Sequence, residues 1–269
     1  MCFATPSARE AKLLNEIGTP CEYLTWDSEF FGHRIARVTS HRLNLTQLMG
    51  VETWCAHNAI DCLYFLADSD DDETTFVAEQ SAFHLVDVRM TLALRDPASV
   101  TSPSADAASR QSIVIRTVRS SDVLSLETIA RTAHEDSRFY FDRRFSRSRC
   151  SNLYATWIRR SCEGFADQVL IAEYAQQVAG YITCTCVDGE DPHGFIGLVG
   201  VTSAARGMGI GPALVTRSLR WFAEQGVQEV EVVTQGRNIA AQRMYQRCGF
   251  ASQSLRLWYH RWFTHDRRS

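Results

Sequence analysis

The sequence predicts an α/β (α+β) chain, a mixed, mostly antiparallel sheet flanked by helices, with an amino-terminal α/β region ahead of the main domain. Three observations lead there. Short apolar runs with strand alternation recur between segments of helical spacing. The stretch 96–111 is Ser, Ala, Asp and Pro with almost nothing to bury, which is linker chemistry. Near residue 206 a strand-like run passes through a glycine-rich turn into a helical one.

The elements follow in order. In the amino-terminal region, 1–95, strands are expected at 31–40 and 60–67, the second carrying the apolar run Cys62-Leu-Tyr-Phe-Leu66. Helical spacing marks 45–57 and 74–83, and 86–94 alternates Val86, Val88, Met90, Leu92 and Leu94 on one face. The acidic run 68–73 lacks the glycine and spaced glutamate of a calcium loop, so it reads as a solvated turn capping the next helix. Trp26, Phe30 and Phe31 would either shape the pocket from the first half or pack the two halves together, and packing is the plainer reading for each.

After the linker, 112–269 opens with a strand at 113–118 and a helix at 121–134, with Ser120, Ser121 and Asp122 as capping candidates. An aromatic-basic segment at 137–145 precedes a helix at 149–162. Strands at 168–174 and 178–187 are joined by Ala175-Gln-Gln177, short enough for a hairpin. A strand at 195–201, the glycine turn, a helix at 212–225, a strand at 227–234, a helix at 239–248 and a strand at 252–259 complete the chain.

Composition narrows the function. The chain has 269 residues, 45% hydrophobic and 22% charged, enough for a packed core. A net charge of −3 argues against a broad grip on nucleic acid. No apolar stretch approaches the roughly 20 residues that cross a bilayer. Residues 1–21 carry Arg9, Glu10, Lys12 and Glu16 without an apolar core, so no secretory signal is expected and the protein is placed in the cytoplasm, without a membrane partner. The nine cysteines are scattered and contain no C-x-x-C pair, which favours buried reduced thiols; no metal site is expected.

The glycine turn is an anion-binding geometry. Amides at a helix N-terminus point outward unpaired, the helix dipole adds positive potential, and glycines let a phosphate approach the backbone. Pro212 suits the first helical turn, where it has no amide hydrogen to lose. The spacing Gly207-x-Gly209-x-Gly211 is wrong for a dinucleotide fingerprint, and no Gly-Lys-Ser/Thr follows for a nucleoside triphosphate. A tight strand-to-helix turn alone would also account for these glycines.

Arg206-Gly-Met-Gly209-Ile-Gly211 resembles the R/Q-x-x-G-x-G/A signature of the GNAT superfamily of N-acetyltransferases. Asn238-Ile-Ala-Ala-Gln-Arg-Met-Tyr245-Gln-Arg-Cys-Gly249-Phe250 is similar to its second signature, N-x-x-A-x-x-x-Y-x-x-x-G-F. The two stand in the family's order, and the resemblance covers 113–259. It implies acetyl-CoA as cosubstrate, with Arg206, Gly207, Met208, Gly209, Ile210 and Gly211 at the pyrophosphate. It also implies that backbone of Val199, Gly200 and Val201 holds the pantetheine arm beside a splay between two strands. Met208 and Ile210 would pack the adjoining helix. Asn238 would cap its helix and, with Ala241, touch the cofactor.

Tyr245 is implied as the general acid for the leaving thiolate, since a phenol near its ordinary pKa of about 10 is protonated at neutral pH. Without the signature it reads as the core residue of an amphipathic helix. Trp26-Asp-Ser-Glu-Phe-Phe-Gly32, Ser137-Arg-Phe139, Tyr154-Ala-Thr-Trp-Ile158 and Ile196-Gly-Leu198 further resemble GNAT members that acetylate the 4-amino group of a dTDP-linked amino-deoxy sugar. The partner so implied is a small-molecule amine, a sugar nucleotide; a homodimer is compatible with the sequence. His134, Arg138 and Phe139 are the candidate substrate contacts, against the plainer reading of a solvated basic loop with an aromatic anchor. The general base stays open among Glu173, Asp191, His193 and a water chain. An acetyltransferase of peptides or other amines and a non-catalytic acetyl-CoA-binding protein remain alternatives.

Overall fold

A computed structural model describes residues 19–99, 113–187, 189 and 192–263. The leader reading and most of the 96–111 linker lie outside these residues. In chain order the amino-terminal stretch holds β1 (Cys21–Tyr23), α1 (Thr25–Phe31), β2 (Ile35–Val38), α2 (Leu45–His57), β3 (Cys62–Asp68), α3 (Asp72–Gln80) and β4 (His84–Arg95). The remainder holds β5 (Val114–Thr117), α4 (Val123–Ala133), α5 (Arg138–Phe141), α6 (Arg147–Arg160), β6 (Gln168–Tyr174), β7 (Gln177–Val187) and β8 (His193–Val201). It ends with α7 (Ile210–Glu224), β9 (Glu229–Gln235), α8 (Ile239–Arg247) and β10 (Ala251–Trp262). No described helix is long and apolar enough to cross a membrane.

The chain forms two compact units, Met1–Val88 with Leu255–Ser269, and Arg89–Ser254. This division runs inside β4 and β10, a different line from one drawn at the linker. In the first unit β1 pairs antiparallel with β2, β2 parallel with β3, and the end of β10 antiparallel with β3, Leu257 opposite Ala67. Its core gathers Val51 and Cys55 from α2, Leu63 and Phe65 from β3, Val77 from α3 and Tyr259 from β10. The acidic run behaves as a capped turn, Asp71 Oδ1 accepting the Thr74 amide at 2.8 Å. The expected strand at 31–40 is shorter. Trp26 to Phe31 are helical, Gly32 stops the helix in the left-handed region at φ 72°, and Ser28 Oγ accepts the Ile35 amide at 2.9 Å where β2 begins.

In the second unit β5, β6, β7 and β8 form an antiparallel succession, β8 pairs parallel with β9, and β9 antiparallel with residues 89–95 of β4. The β6–β7 hairpin turns through Ala175 and Gln176, both at positive φ, as a two-residue loop between twisted strands requires. Helix α7 presents Leu214, Val215, Leu219 and Phe222 to this sheet at helical spacing, against Ile182, Cys184, Ile196 and Val230. Burying side chains of this size contributes about 2 kcal/mol each.

Candidate active site

The site begins where two strands part. The β8–β9 ladder ends at Ile196 opposite Val232. Beyond it, β8 continues along β7 only, while β9 continues along β4, Thr234 opposite Met90. Thr202 donates its amide to the Ala179 carbonyl at 2.9 Å, which sets the alternation of the β7–β8 ladder. Gly200, two residues back and opposite Tyr181, therefore turns its amide to β7, and Val199 and Val201 turn theirs toward the gap. Of the three residues expected to hold the pantetheine arm, two face the gap. Gly200 serves differently: a Cβ there would lie 2.6 Å from the Tyr181 ring.

At the end of β8, a turn through Ser203–Ala205 leads to Gly207 and Gly209, both left-handed at φ 79° and 84°. Gly209 opens α7, and no side chain caps this helix. The amides of Arg206 and Met208 are engaged inside the turn by the Ser203 and Ala205 carbonyls, each at 3.4 Å. Those of Gly207, Gly209, Ile210 and Gly211 meet no acceptor among the described residues. Four of the six positions expected at the pyrophosphate thus present free donors. Ile210 is buried in the core as expected, but Met208 is 44% exposed and does not pack the helix, because left-handed glycines on both sides turn it outward. A Cβ on Gly211 would lie 2.6 Å from Met244 Sδ of α8, so glycine permits the close approach of the two helices.

Helix α8 is capped by Asn238, whose Oδ1 accepts the Ala241 amide at 3.0 Å, and Ala241 packs against the core. Tyr245, seven residues on and on the same face, is 4% exposed, with its ring 5.6 Å from that of Phe250. Its hydroxyl makes no hydrogen bond among the described residues, and burial holds the phenol well above its ordinary pKa. It stays protonated across the working pH range of an enzyme.

The segment after α4 forms a wall. His134 stacks on Tyr154 at 4.4 Å, and its Nε2 lies 2.8 Å from the Tyr181 hydroxyl, whose ring covers Gly200. Burial, and secondarily the charge of Arg206, pushes the His134 pKa down to about 4, so the ring is neutral at pH 7. Tyr181 was not singled out from sequence; only the register that sets it opposite Gly200 reveals it. Phe139 departs from expectation. It is 3% exposed, packed on Phe145 and Trp157, with the Arg138 guanidinium 4.2 Å over its ring, so α5 turns it into the core rather than toward a ligand. Arg237, just before α8, stacks on Phe141 at 3.4 Å and donates to the Asp136 carbonyl, tying the same wall to the second signature.

The candidate bases fare unevenly. Glu173 is bound to Arg116 at 2.5 Å in a cluster that includes Asp122, so its carboxylate is held in an ion pair. His193 begins β8, at the end remote from Val199 and Val201. Asp191 lies outside the described residues. A pocket of about 370 Å³ adjoins the point where the strands part, lined by Trp157, Arg160, Phe165, Thr183, Thr185 and Leu198.

Residues 128–250 match the Acetyltransferase (GNAT) family. Over 244 residues the chain is 28% identical to dTDP-fucosamine acetyltransferase of Escherichia coli O6:H1 (strain CFT073), covering 89% of this chain and 97% of that protein. Over 141 residues it is 26% identical to the spore coat polysaccharide biosynthesis protein SpsD of Bacillus subtilis (strain 168), covering 52% of this chain and 48% of that one. Among solved structures, a GCN5-related N-acetyltransferase from Sphaerobacter thermophilus shares the fold, with a TM-score of 0.58 at 18% identity over 90% of this chain and 76% of that chain.

Proposed function

The chain carries an acetyltransferase domain of the GNAT family, and from that premise we propose that it moves the acetyl group of acetyl-CoA to the 4-amino group of a nucleotide-linked amino-deoxy sugar. The observation that carries the cosubstrate is the run of free backbone donors. Gly207, Gly209, Ile210 and Gly211 present open amides at a helix N-terminus, and Val199 and Val201 extend the row into the gap between β8 and β9. A diphosphate followed by an amide-bearing arm matches that row.

The chemistry is a direct transfer. The neutral amine attacks the thioester carbonyl carbon, the C–N bond forms and the C–S bond breaks, and the amine's extra proton leaves to water. A gap-facing amide of Val199 or Val201 polarises the carbonyl. Tyr245, protonated by virtue of its burial, supplies the proton to the departing thiolate and regains one from water after the products leave. Neutral His134 and the pocket beside Leu198 and Trp157 receive the acceptor, with Arg160 at its edge for the diphosphate. The similarity to the Escherichia coli enzyme, which runs through most of this chain, supports an amino-sugar acceptor. The reading implies a soluble enzyme working in the cytoplasm.

The test is coenzyme A thiol release with acetyl-CoA and a panel of amines: dTDP- and UDP-linked 4-amino-6-deoxyhexoses, free amino sugars, and peptides with free N-termini. Saturable release confined to the nucleotide sugars is the expected result. Release only with peptides or free amines would remove the sugar-nucleotide acceptor and keep the transferase.

A further inference from the structure

We infer that the Thr183 hydroxyl is a positioning group that holds open the gap between β8 and β9, by fixing a bulge in β8 at the point where the strands part. The register places the bulge. Ile182 pairs with Val199 and Cys184 with Ile196, so Thr183 alone faces both Gly197 and Leu198. This extra residue comes immediately after Ile196, the last residue of β8 paired with β9. A bulge bends its strand and increases the local twist, so β8 turns from β9 here and nowhere earlier.

Thr183 is what stabilises the irregularity. The Leu198 amide, displaced from a regular ladder, donates to Thr183 Oγ1 at 2.8 Å. The threonine is 3% exposed, and its backbone stays in register with Val169 of β6 on the other side, so the hydroxyl is rigidly presented. Gly197 completes the arrangement, because a Cβ there would lie 2.8 Å from the same Oγ1. A hydroxyl on one strand and a missing side chain on the next therefore set the geometry that Val199 and Val201 inherit.

The consequence for binding rests on the acetyl-CoA reading above. Thr183→Val keeps the shape and branching of the side chain and removes the acceptor; Thr183→Ser keeps the acceptor. Acetyl-CoA affinity is measured by calorimetry with no acceptor amine present, alongside amide hydrogen exchange at Leu198 and thermal unfolding. The expected result for Thr183→Val is a Kd raised roughly tenfold, one hydrogen bond's worth, with faster exchange at Leu198. Thr183→Ser should restore both, and Gly197→Ala, which presses on the hydroxyl from the other strand, should reproduce the loss. A Thr183→Val protein that unfolds at a much lower temperature leaves the decision to the Ser and Gly197 variants, read the same way. Wild-type affinity and unchanged Leu198 protection in Thr183→Val would overturn the inference. Should the wild-type chain itself not bind acetyl-CoA, the functional reading fails, and Leu198 exchange alone decides whether Thr183 holds the bulge.

Discussion

Among the described residues each unit of the chain contains one parallel crossover, and the two helices begin in opposite ways. In β2–α2–β3, Asn44 accepts the Gln47 amide at 2.9 Å while the Gln47 side chain accepts the Asn44 amide at 3.0 Å, a reciprocal cap. In β8–α7–β9 the helix starts on left-handed Gly209 with no side-chain cap, and its leading amides stay open. The surroundings match: an antiparallel strand pair precedes each crossover, β1–β2 and β7–β8, and a further helix follows each one, α3 and α8. Each unit is also completed by a strand from elsewhere in the chain, β10 beside β3 and β4 beside β9. One supersecondary unit thus closes the first turn of its helix with a side-chain cap in one case and leaves it open in the other, the open one being where acetyl-CoA is proposed to bind.

The largest effect should come from the group that only the second unit carries. Tyr245→Phe should lower kcat by about 10²- to 10³-fold while the acetyl-CoA Kd stays within a factor of two, checked by steady-state kinetics and calorimetry. Because burial raises the phenol pKa, the wild-type kcat should show no loss from tyrosine ionisation up to pH 9 or so. Equal loss of binding and turnover would reduce Tyr245 to a core residue.

Next in size is making the open helix resemble the closed one. Gly209→Asp places a carboxylate at the uncapped amides, at a position whose left-handed backbone aspartate tolerates. Acetyl-CoA affinity should fall by roughly two orders of magnitude with little change in melting temperature, since the carboxylate takes the donors and repels the diphosphate. Retained affinity would show that these amides do not hold the cosubstrate.

A smaller effect is expected with acid. His134 has an ordinary pKa of 6.5, lowered to about 4 in the fold, so the unfolded chain binds a proton there more readily than the folded one. Its contribution is complete above about pH 6.5 and is lost as pH falls toward 4. Urea unfolding at pH 7 and pH 5 should show a loss in the wild type that His134→Gln reduces; an identical loss in both would remove His134 as the cause. The smallest effect belongs to the first unit. Asn44→Ala should cost about 1 kcal/mol of stability and leave acetyl-CoA affinity unchanged, read by chemical unfolding and calorimetry.

The sequence by itself determined what depends on residues adjacent in the chain. The turn at Gly207 and Gly209, the Asn238 cap, the Asp71 cap, the Ala175–Gln176 hairpin and the spacing of α7 all follow from backbone preference and periodicity within a few residues. Local preference also misled where neighbours compete. The strand expected at 31–40 forms only at Ile35–Val38, because a helix runs to Phe31 and is stopped by Gly32, and Phe139, legible only as an aromatic in a basic segment, turns inward. Tertiary structure alone decided the rest, because it turns on register between strands far apart in sequence. That register lays Tyr181 over Gly200, sets Thr183 against two residues of β8, binds Glu173 to Arg116 and returns β10 to β3. A one-residue slip would send each of these side chains to the opposite face, and the chain order carries no local mark of which pairing wins.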